Sequence, residues 1–439
     1  MTLTAKDPSA TAPALPPAEP PVNAGNFGPV VRLLGALALI TAIFLATGLG
    51  DLLLFIAILI VIVMLHELGH FVTAKWAGMK VTEYFVGFGP RLWSVRRGET
   101  EYGVKAIPAG GYVRITGFTV LEDVAIEDEP RTYRQQPFWK RIIVASAGST
   151  VHFIIAFVLA LIIAFSYGVA SNNVQVSSID HWNGVAQTPA QAAGLQPGDT
   201  IVSVNGHRLS SPNTFTNAVH DSKGRPVSFT YLRDGQTHAA TVTPRLGQGI
   251  SVAGGIKLNP HDDYIGVVLT GATQSVNPLS AVKVAADNLG SATREEVDGV
   301  IKTFSPSGLR SVVHQVTNSK AATQAADNPD TATRPVSLVG IAGLGVQAQK
   351  AGLEDLLELL ILINIIFGLL NMLPMLPLDG GHVAVAAYEW IRTKKGQAYY
   401  RADITKLFPV VFVFLAFLSI FVLSGVFLDL THPVKNVFP

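Results

Sequence analysis

Cysteine is absent from the 439 residues. That excludes a disulfide framework and leaves His, Asp and Glu as the ligands for a metal such as zinc. Charge is scarce: Asp, Glu, Lys and Arg make up 14% of the chain and sum to +1 at pH 7. A protein so close to neutral lacks the basic surface that nucleic acid requires, and no nucleic-acid partner is expected. Apolar residues take the space that charge leaves. The sequence is 49% hydrophobic with a mean hydropathy of +0.38, the composition of a protein that crosses a bilayer several times and also carries soluble sequence.

Residues 1–29 are rich in Pro and Ala without an apolar period and read as a disordered cytoplasmic tail. Two apolar runs follow, at 30–48 and 52–73, separated by Gly48-Leu49-Gly50-Asp51. One helix from Val31 to Leu65 would be about 52 Å long against a hydrocarbon core of about 30 Å, so two spans in a tight hairpin are expected. A rival reading makes the first run a signal peptide, with Ala46 and Gly48 as small cleavage-site residues. The long neutral tail ahead of it and the second span right behind it favour a retained helix. Residues 74–141 are polar and basic, with Lys75, Lys80, Arg91, Arg96, Arg97 and Arg114 among them, which places them in the cytoplasm. Within them, Val86-Gly87-Phe88-Gly89-Pro90 and Ile107-Pro108-Ala109-Gly110-Gly111-Tyr112 carry the punctuation of β-hairpins.

A third span at 142–168 leads outward to 174–245, where short β-branched runs alternate with turns. Ala190–Asp199 followed by Ile201–Gly206 gives a helix, a Gly-Asp turn, a strand and an Asn-Gly turn in the order of a bacterial PDZ domain, which it resembles. Such a domain would take up an extended peptide or a free carboxyl terminus at a sheet edge. Residues 246–352 read as an extracytoplasmic linker with an amphipathic helix over Ala281–Phe304 and a solvated stretch over Asn318–Arg334. A broken span at 356–391 runs into Pro374 and Pro377 before Leu378-Asp379-Gly380-Gly381-His382, and a last span occupies 407–430 ahead of an extracytoplasmic tail at 431–439. The fold class expected is a polytopic α-helical membrane protein of about five transmembrane helices. It has a cytoplasmic-side, membrane-associated β-hairpin and an inserted extracytoplasmic PDZ-like α+β domain.

Chemistry concentrates at His66-Glu67-Leu68-Gly69-His70, near the end of the second apolar run. On a helix the two histidines lie one turn apart on one face, where both imidazoles can hold one zinc ion, and Glu67 beside them can take a proton from water. His, Glu and His are costly in hydrocarbon, which makes the cluster a functional site by default. A catalytic zinc takes three protein ligands, so one is missing. Asp379 is the best candidate, and His382, one turn on, is the alternative; N-capping and turn formation are the other roles open to Asp379. Depth supports the first choice. Asp51 to His66 spans about 22 Å of helix and Glu358 to Met372 about 21 Å, so both segments reach one level of the bilayer. Non-helical backbone is tolerated there when it lines a watery cavity or is buried in protein.

HELGH at 66–70, GFGP at 87–90, IPAGGY at 107–112, the PDZ-like segment and NMLPMLPLDGG at 371–381 together resemble the site-2 protease family of intramembrane zinc metalloproteases. Within it, the sequence looks most like the actinobacterial, single-PDZ group that cleaves anti-sigma factors. The resemblance implies zinc held by His66, His70 and Asp379, with Glu67 as general base. It implies that Asn371 contacts substrate backbone or the developing oxyanion, and that Gly87, Gly89, Gly110 and Gly111 belong to a hairpin that pairs with unwound substrate. The implied substrate is a single-pass membrane protein, an anti-sigma factor already cut outside the membrane. Remnant signal peptides, peptide precursors and a non-proteolytic PDZ scaffold are the alternatives. Three departures stand out: the additional helix at 30–48, the second proline at 377, and His152 where relatives show an asparagine in an AGPxxN pattern. His152 and His382 are therefore candidates for contacts behind the metal ligands.

Overall fold

The computed structural model describes residues 28–439 apart from 120–121, 212, 253–256, 275, 328–333, 394–399, 435–436 and 439. The tail expected over 1–29 lies outside the described residues as far as 27. Two compact units divide the protein, one built from 1–157 with 291–439, the other from 158–290.

In the first unit, helix α1 (Gly28–Ala46) turns at Gly48 into α2 (Gly50–Trp76). After Asp51 in its first turn, α2 is apolar on every face until His66, and its buried residues are Phe55, Ile62, His66, His70 and Ala74. These recur at helical spacing and form its most deeply buried stripe. Strands β1 (Val81–Arg97) and β2 (Thr100–Ile115) form a long hairpin whose strands bend back on themselves. Tyr84 of β1 therefore pairs with Val113 on one side and Tyr102 on the other, and 111–115 is left with β1 along a single edge.

The hairpin turn is tied down electrostatically. Glu99 accepts from both terminal nitrogens of Arg131 (2.7 and 2.9 Å) and from Lys75 Nζ at the end of α2 (2.6 Å). Arg131 and then Lys75 hold the Glu99 carboxyl at about 2, against an ordinary value of 4.5 and against the opposing effect of burial. A depressed carboxylate stabilises the fold above its unfolded pKa and loses that contribution as pH falls toward its folded one. Glu99→Gln is expected to lower the thermal midpoint at pH 7, with the gap from wild type closing as pH falls from about 4.5 to about 2. A gap that stays constant across that window would remove the ion pairs from the account.

Helix α3 (Phe138–Ser166) follows. The second unit begins within it and contains strands β3 (Val169–Ile179), β4 (Thr200–Val204), β5 (His207–Arg208), β6 (Val227–Arg233), β7 (Gln236–Val242), β8 (Arg245–Leu246), β9 (Asp263–Tyr264) and β10 (Val267–Gln274), with helices α4 (Pro189–Ala192) and α5 (Asn213–His220). Its main sheet runs β10-β3-β4-β6-β7, with β5 paired to β4. Alternate residues Val174 and Val176 of β3 and Phe229 and Tyr231 of β6, with Ile201 and Val204 of β4 on either side of a register shift, join Phe215 and Val219 of α5 in one core. The Gly-Asp turn is held by Asp199, which accepts from Arg233 Nε and Nη2, both at 2.7 Å, and from Gln196 N–H at 2.8 Å. The 174–245 boundary expected from sequence is too short. β10, more than twenty residues beyond it, pairs with β3 and forms the edge of this sheet.

Helix α6 (Pro278–Phe304) leads back into the first unit. The solvated stretch expected over Asn318–Arg334 is helical for most of its described length. α7 (Pro306–Thr317) and α8 (Ser319–Asp327) pack on each other, and α8 buries Ala322, Ala325 and Ala326. Three alanines at i, i+3 and i+4 make a packing face too small to register as an apolar stripe. Next come α9 (Leu338–Ala351), α10 (Leu353–Asn371), α11 (Asp379–Arg392) and α12 (Phe408–Thr431). Among the described residues, three helical segments are long and apolar enough to cross a membrane: Gly50–Trp76, Phe138–Ser166 and Ile404–Thr431. α1 contributes a shorter apolar stretch, Leu33–Ala46, and α10 carries Glu354, Asp355 and Glu358 in its first turns.

Candidate metal centre

α2 delivers His66 and His70 to one buried face, and α3 packs against that face through glycine. A Cβ at Gly69 of α2 would lie 2.9 Å from the Ala147 carbonyl of α3, and a Cβ at Gly148 of α3 would fall on the His66 and His70 rings. The two helices touch because neither has a side chain at the crossing. One turn before Gly148, the Val144 carbonyl accepts from His70 Nδ1 at 2.7 Å. That bond fixes the tautomer and turns the Nε2 lone pair inward.

Asp379 arrives from the far end of the sequence. The segment 372–378 folds back over the start of α11 so closely that a Cβ on Gly380 would enter the Met372 carbonyl and one on Gly381 would lie 2.5 Å from Leu376 N. The glycine pair of the LDGG motif is thus a requirement of close backbone approach. α11 is capped by Leu378 without a side-chain bond, so Asp379 is not serving as the cap. Its Oδ2 lies 3.5 Å from His66 Nε2 and 3.2 Å from His70 Nε2, and the two Nε2 atoms are 3.2 Å apart. Ligand atoms at about 2.0–2.1 Å from a tetrahedral zinc are about 3.3–3.4 Å from one another. The three observed edges match. Asp379 Oδ2 is also buried without a hydrogen-bond partner, an expense that a cation at the centre of the triangle removes. Among the described residues, His66, His70 and Asp379 form the group able to hold a metal.

Glu67 points from the same turn of α2 toward the sheet, where its Oε2 accepts the Val113 N–H at 3.0 Å. Other sequence-predicted residues lie at varying removes. His152 is 1% exposed, its ring 5.0 Å from that of His66. Its Nδ1 donates to Asn364 Oδ1 at 2.9 Å, and Asn364 is itself oriented by donating to the Leu360 carbonyl at 2.8 Å. His382 is not part of the triangle, and its ring lies 4.0 Å from that of Phe118. Asn371 ends α10 and is partly buried. Gly87, Gly89 and Gly110 all take positive φ in the bent hairpin, and Gly111 lies against Met64.

The model for peptidase family M50 matches residues 54–418. The protein belongs to peptidase family M50. Zinc metalloprotease Rip1 of Mycolicibacterium smegmatis is 32% identical to this M50 peptidase over 426 residues, covering 88% of it and 98% of the relative. Zinc metalloprotease Rip1 of Mycobacterium tuberculosis is 33% identical over 408 residues, covering 87% and 97%. Among solved structures, the PDZ domain of an SdrC-like protein from Listeria monocytogenes matches 23% of the M50 peptidase and 90% of its own length, at 20% identity and a TM-score of 0.18.

Sequence reading of the M50 site missed Gly148, Val144, Val113 and Asn364. The first three act through backbone or through the absence of a side chain, which composition does not reveal. Asn364 had a visible signal, a lone amide inside the apolar run Leu359–Leu370.

Proposed function

We propose that this M50 peptidase is embedded in the membrane and hydrolyses a peptide bond within or at the edge of the transmembrane segment of a single-pass protein. In this reading the polypeptide traverses the bilayer five times with its N-terminus in the cytoplasm. The basic hairpin lies at the cytoplasmic surface and the PDZ-like unit outside. The observation that carries it is the triangle of His66, His70 and Asp379 atoms with Glu67 alongside, on a helix that is otherwise apolar. His66, His70 and Asp379 would hold zinc, which when bound polarises a carbonyl and makes water a stronger acid. Glu67 takes the proton that water gives up and delivers it to the leaving nitrogen. Val144 holds His70 in its ligating tautomer, and His152, locked by Asn364, braces the His66 side. Asn371, at the end of α10, contacts substrate backbone. In this reading the substrate is an anti-sigma factor trimmed by an earlier extracytoplasmic cut, and the PDZ-like unit would read the trimmed end.

Glu67→Gln tests the reading. Cleavage of a co-expressed single-pass substrate should fall by about 10²–10⁴-fold, the worth of a general base, while bound zinc stays at the wild-type level. Unchanged physiology in the Glu67→Gln strain would point to a non-proteolytic scaffold. The same variant used as a trap should retain trimmed anti-sigma factors; recovery of signal-peptide remnants alone would change the substrate class.

A further inference from the structure

A cleft of about 390 Å³ lies between α11, the segment ahead of it and the approach to α12, within the range of about 300–1,000 Å³ usual for small-ligand sites. One wall is Pro374, Met375 and Leu376, and Val385 of α11 with Val410 and Val411 of α12 continues the apolar lining. Tyr388, Tyr400, Asp403 and Lys406 supply the polar lining. Tyr388, Tyr400, Leu407 and Val410 are exposed, so the cleft is open to its surroundings. Its walls are fastened to each other. The Tyr400 N–H donates to Thr393 Oγ1 at 3.0 Å and the Ala402 N–H to Glu389 Oε1 at 2.8 Å, which ties 400–402 to the end of α11.

Depth and charge decide what fits. Trp76, Trp139 and Trp390 are exposed at the ends of α2, α3 and α11. Lys140 donates to the Ala77 carbonyl at 2.8 Å, and the Phe138 ring stacks on that of Trp390 at 5.0 Å, so these ends share one level. Exposed tryptophans at a common level mark a membrane–water interface. Tyr388, two residues from Trp390, brings the cleft to that level. From Arg392 to Lys406 the sequence carries the bases Arg392, Lys394, Lys395, Arg401 and Lys406 against a single acid, Asp403. The Arg392 guanidinium lies 5.9 Å from the Tyr388 ring and 5.4 Å from the Tyr400 ring. Asp403 Oδ1 is engaged by the N–H and the hydroxyl of Thr405. An apolar cleft with cations at its interfacial end complements a molecule with a hydrocarbon chain and a negative head.

We propose that this cleft binds one anionic phospholipid, with an acyl chain against Pro374–Leu376 and the phosphate near Arg392 and Lys406. The inference rests on the membrane placement proposed above. Gly381 also lines the cleft, and it approaches Met375 and Leu376 so closely that a side chain there has no room. The acyl chain therefore backs the segment that presents Asp379 to the two histidines.

Lipid retained by the full-length, zinc-loaded protein in detergent, read by native mass spectrometry, tests this. The probes are dioleoylphosphatidylglycerol and dioleoylphosphatidylcholine, which share their chains and differ in net charge. The first phosphatidylglycerol should bind at least about tenfold tighter, since each basic side chain near the headgroup is worth about fivefold. Arg392→Gln with Lys406→Gln should remove that preference. Arg96→Gln with Arg97→Gln takes the same charge from the exposed hairpin turn and should leave it in place. Phosphatidylglycerol should also slow amide exchange over 373–378 in the wild type and not in the Arg392→Gln, Lys406→Gln protein. Equal affinity for the two lipids overturns the proposal, as does equal loss in both variants or a dimer that displaces the lipid. Exchange over 373–378 that ignores the lipid overturns it too. Membrane placement is checked separately, by washing membranes with alkaline carbonate. Release of the protein would overturn the placement, whereas equal lipid affinities in protein that stays in the pellet would overturn the lipid inference alone.

Discussion

Gly148→Ala should strip the protein of metal and reduce cleavage by about a hundredfold or more, the order seen when reacting groups are displaced by an ångström. The reason is steric and specific. The added methyl would occupy space now filled by both the His66 and the His70 imidazoles. Neither ring can retreat cheaply, because His70 is tethered to the Val144 carbonyl at 2.7 Å and His66 packs 5.0 Å from His152. The backbone of α3 has no reason to object: alanine favours helix over glycine by about 1 kcal/mol. Global stability of the apo-protein should therefore change far less than zinc content, measured on purified protein by atomic absorption. Gly343→Ala on α9 is the control, since nothing lies within 4 Å of its added Cβ, and it should leave both metal and activity intact. Zinc at the wild-type level in Gly148→Ala would mean that the helices separate easily, contrary to this packing.

Glu389→Ala is expected to cost about 3–5 kcal/mol of stability, the range for stripping one member from a buried ion pair. Arg141 of α3 and Glu389 of α11 meet at 2.5 Å with each side chain only 4% exposed, and the Arg141 guanidinium also stacks on the Tyr133 ring at 5.0 Å. The second carboxylate oxygen accepts the Ala402 N–H at 2.8 Å, so one acid joins α3, α11 and the approach to α12. Replacing both members, Arg141→Leu with Glu389→Leu, should cost less than either single change, because no uncompensated charge remains buried. Since Arg141 lies one turn before Val144 and Glu389 is on the helix that begins at Asp379, zinc affinity should fall in the single variants as well. Denaturant titration of the four proteins in detergent closes the cycle; additive losses would show that the two residues do not act as a pair.

How much of this was legible in the sequence follows from the range of each interaction. His66, Glu67 and His70 declare themselves because four residues is one helical turn, and a helix needs no distant partner to set that spacing. That Asp379 lies beside the two histidines was reachable through chemistry, as a zinc site with two histidines calls for a third ligand. Gly148 was not legible, since its demand arises only where two helices cross. Nor was the hydrogen bond from Val113 to Glu67, which depends on which edge of a bent hairpin faces α2. In the second unit, β10 escaped because a strand paired across nearly a hundred residues leaves no local mark. α7 and α8 escaped for the opposite reason. α7 is polar and α8 is polar and alanine-rich, compositions that resemble a linker, and their small buried faces become evident only against a neighbour.

The Asp379 position has a thermodynamic consequence beyond chemistry. His70 and Asp379 are separated by more than three hundred residues, and an unfolded polypeptide keeps ligands so far apart from sharing one ion. Zinc that binds all three therefore binds the native state alone, and each tenfold rise in its free concentration above the dissociation constant adds about 1.4 kcal/mol to folding. Held there, the ion would act as a cross-link of adjustable strength in a protein that has no cysteine with which to build a covalent one.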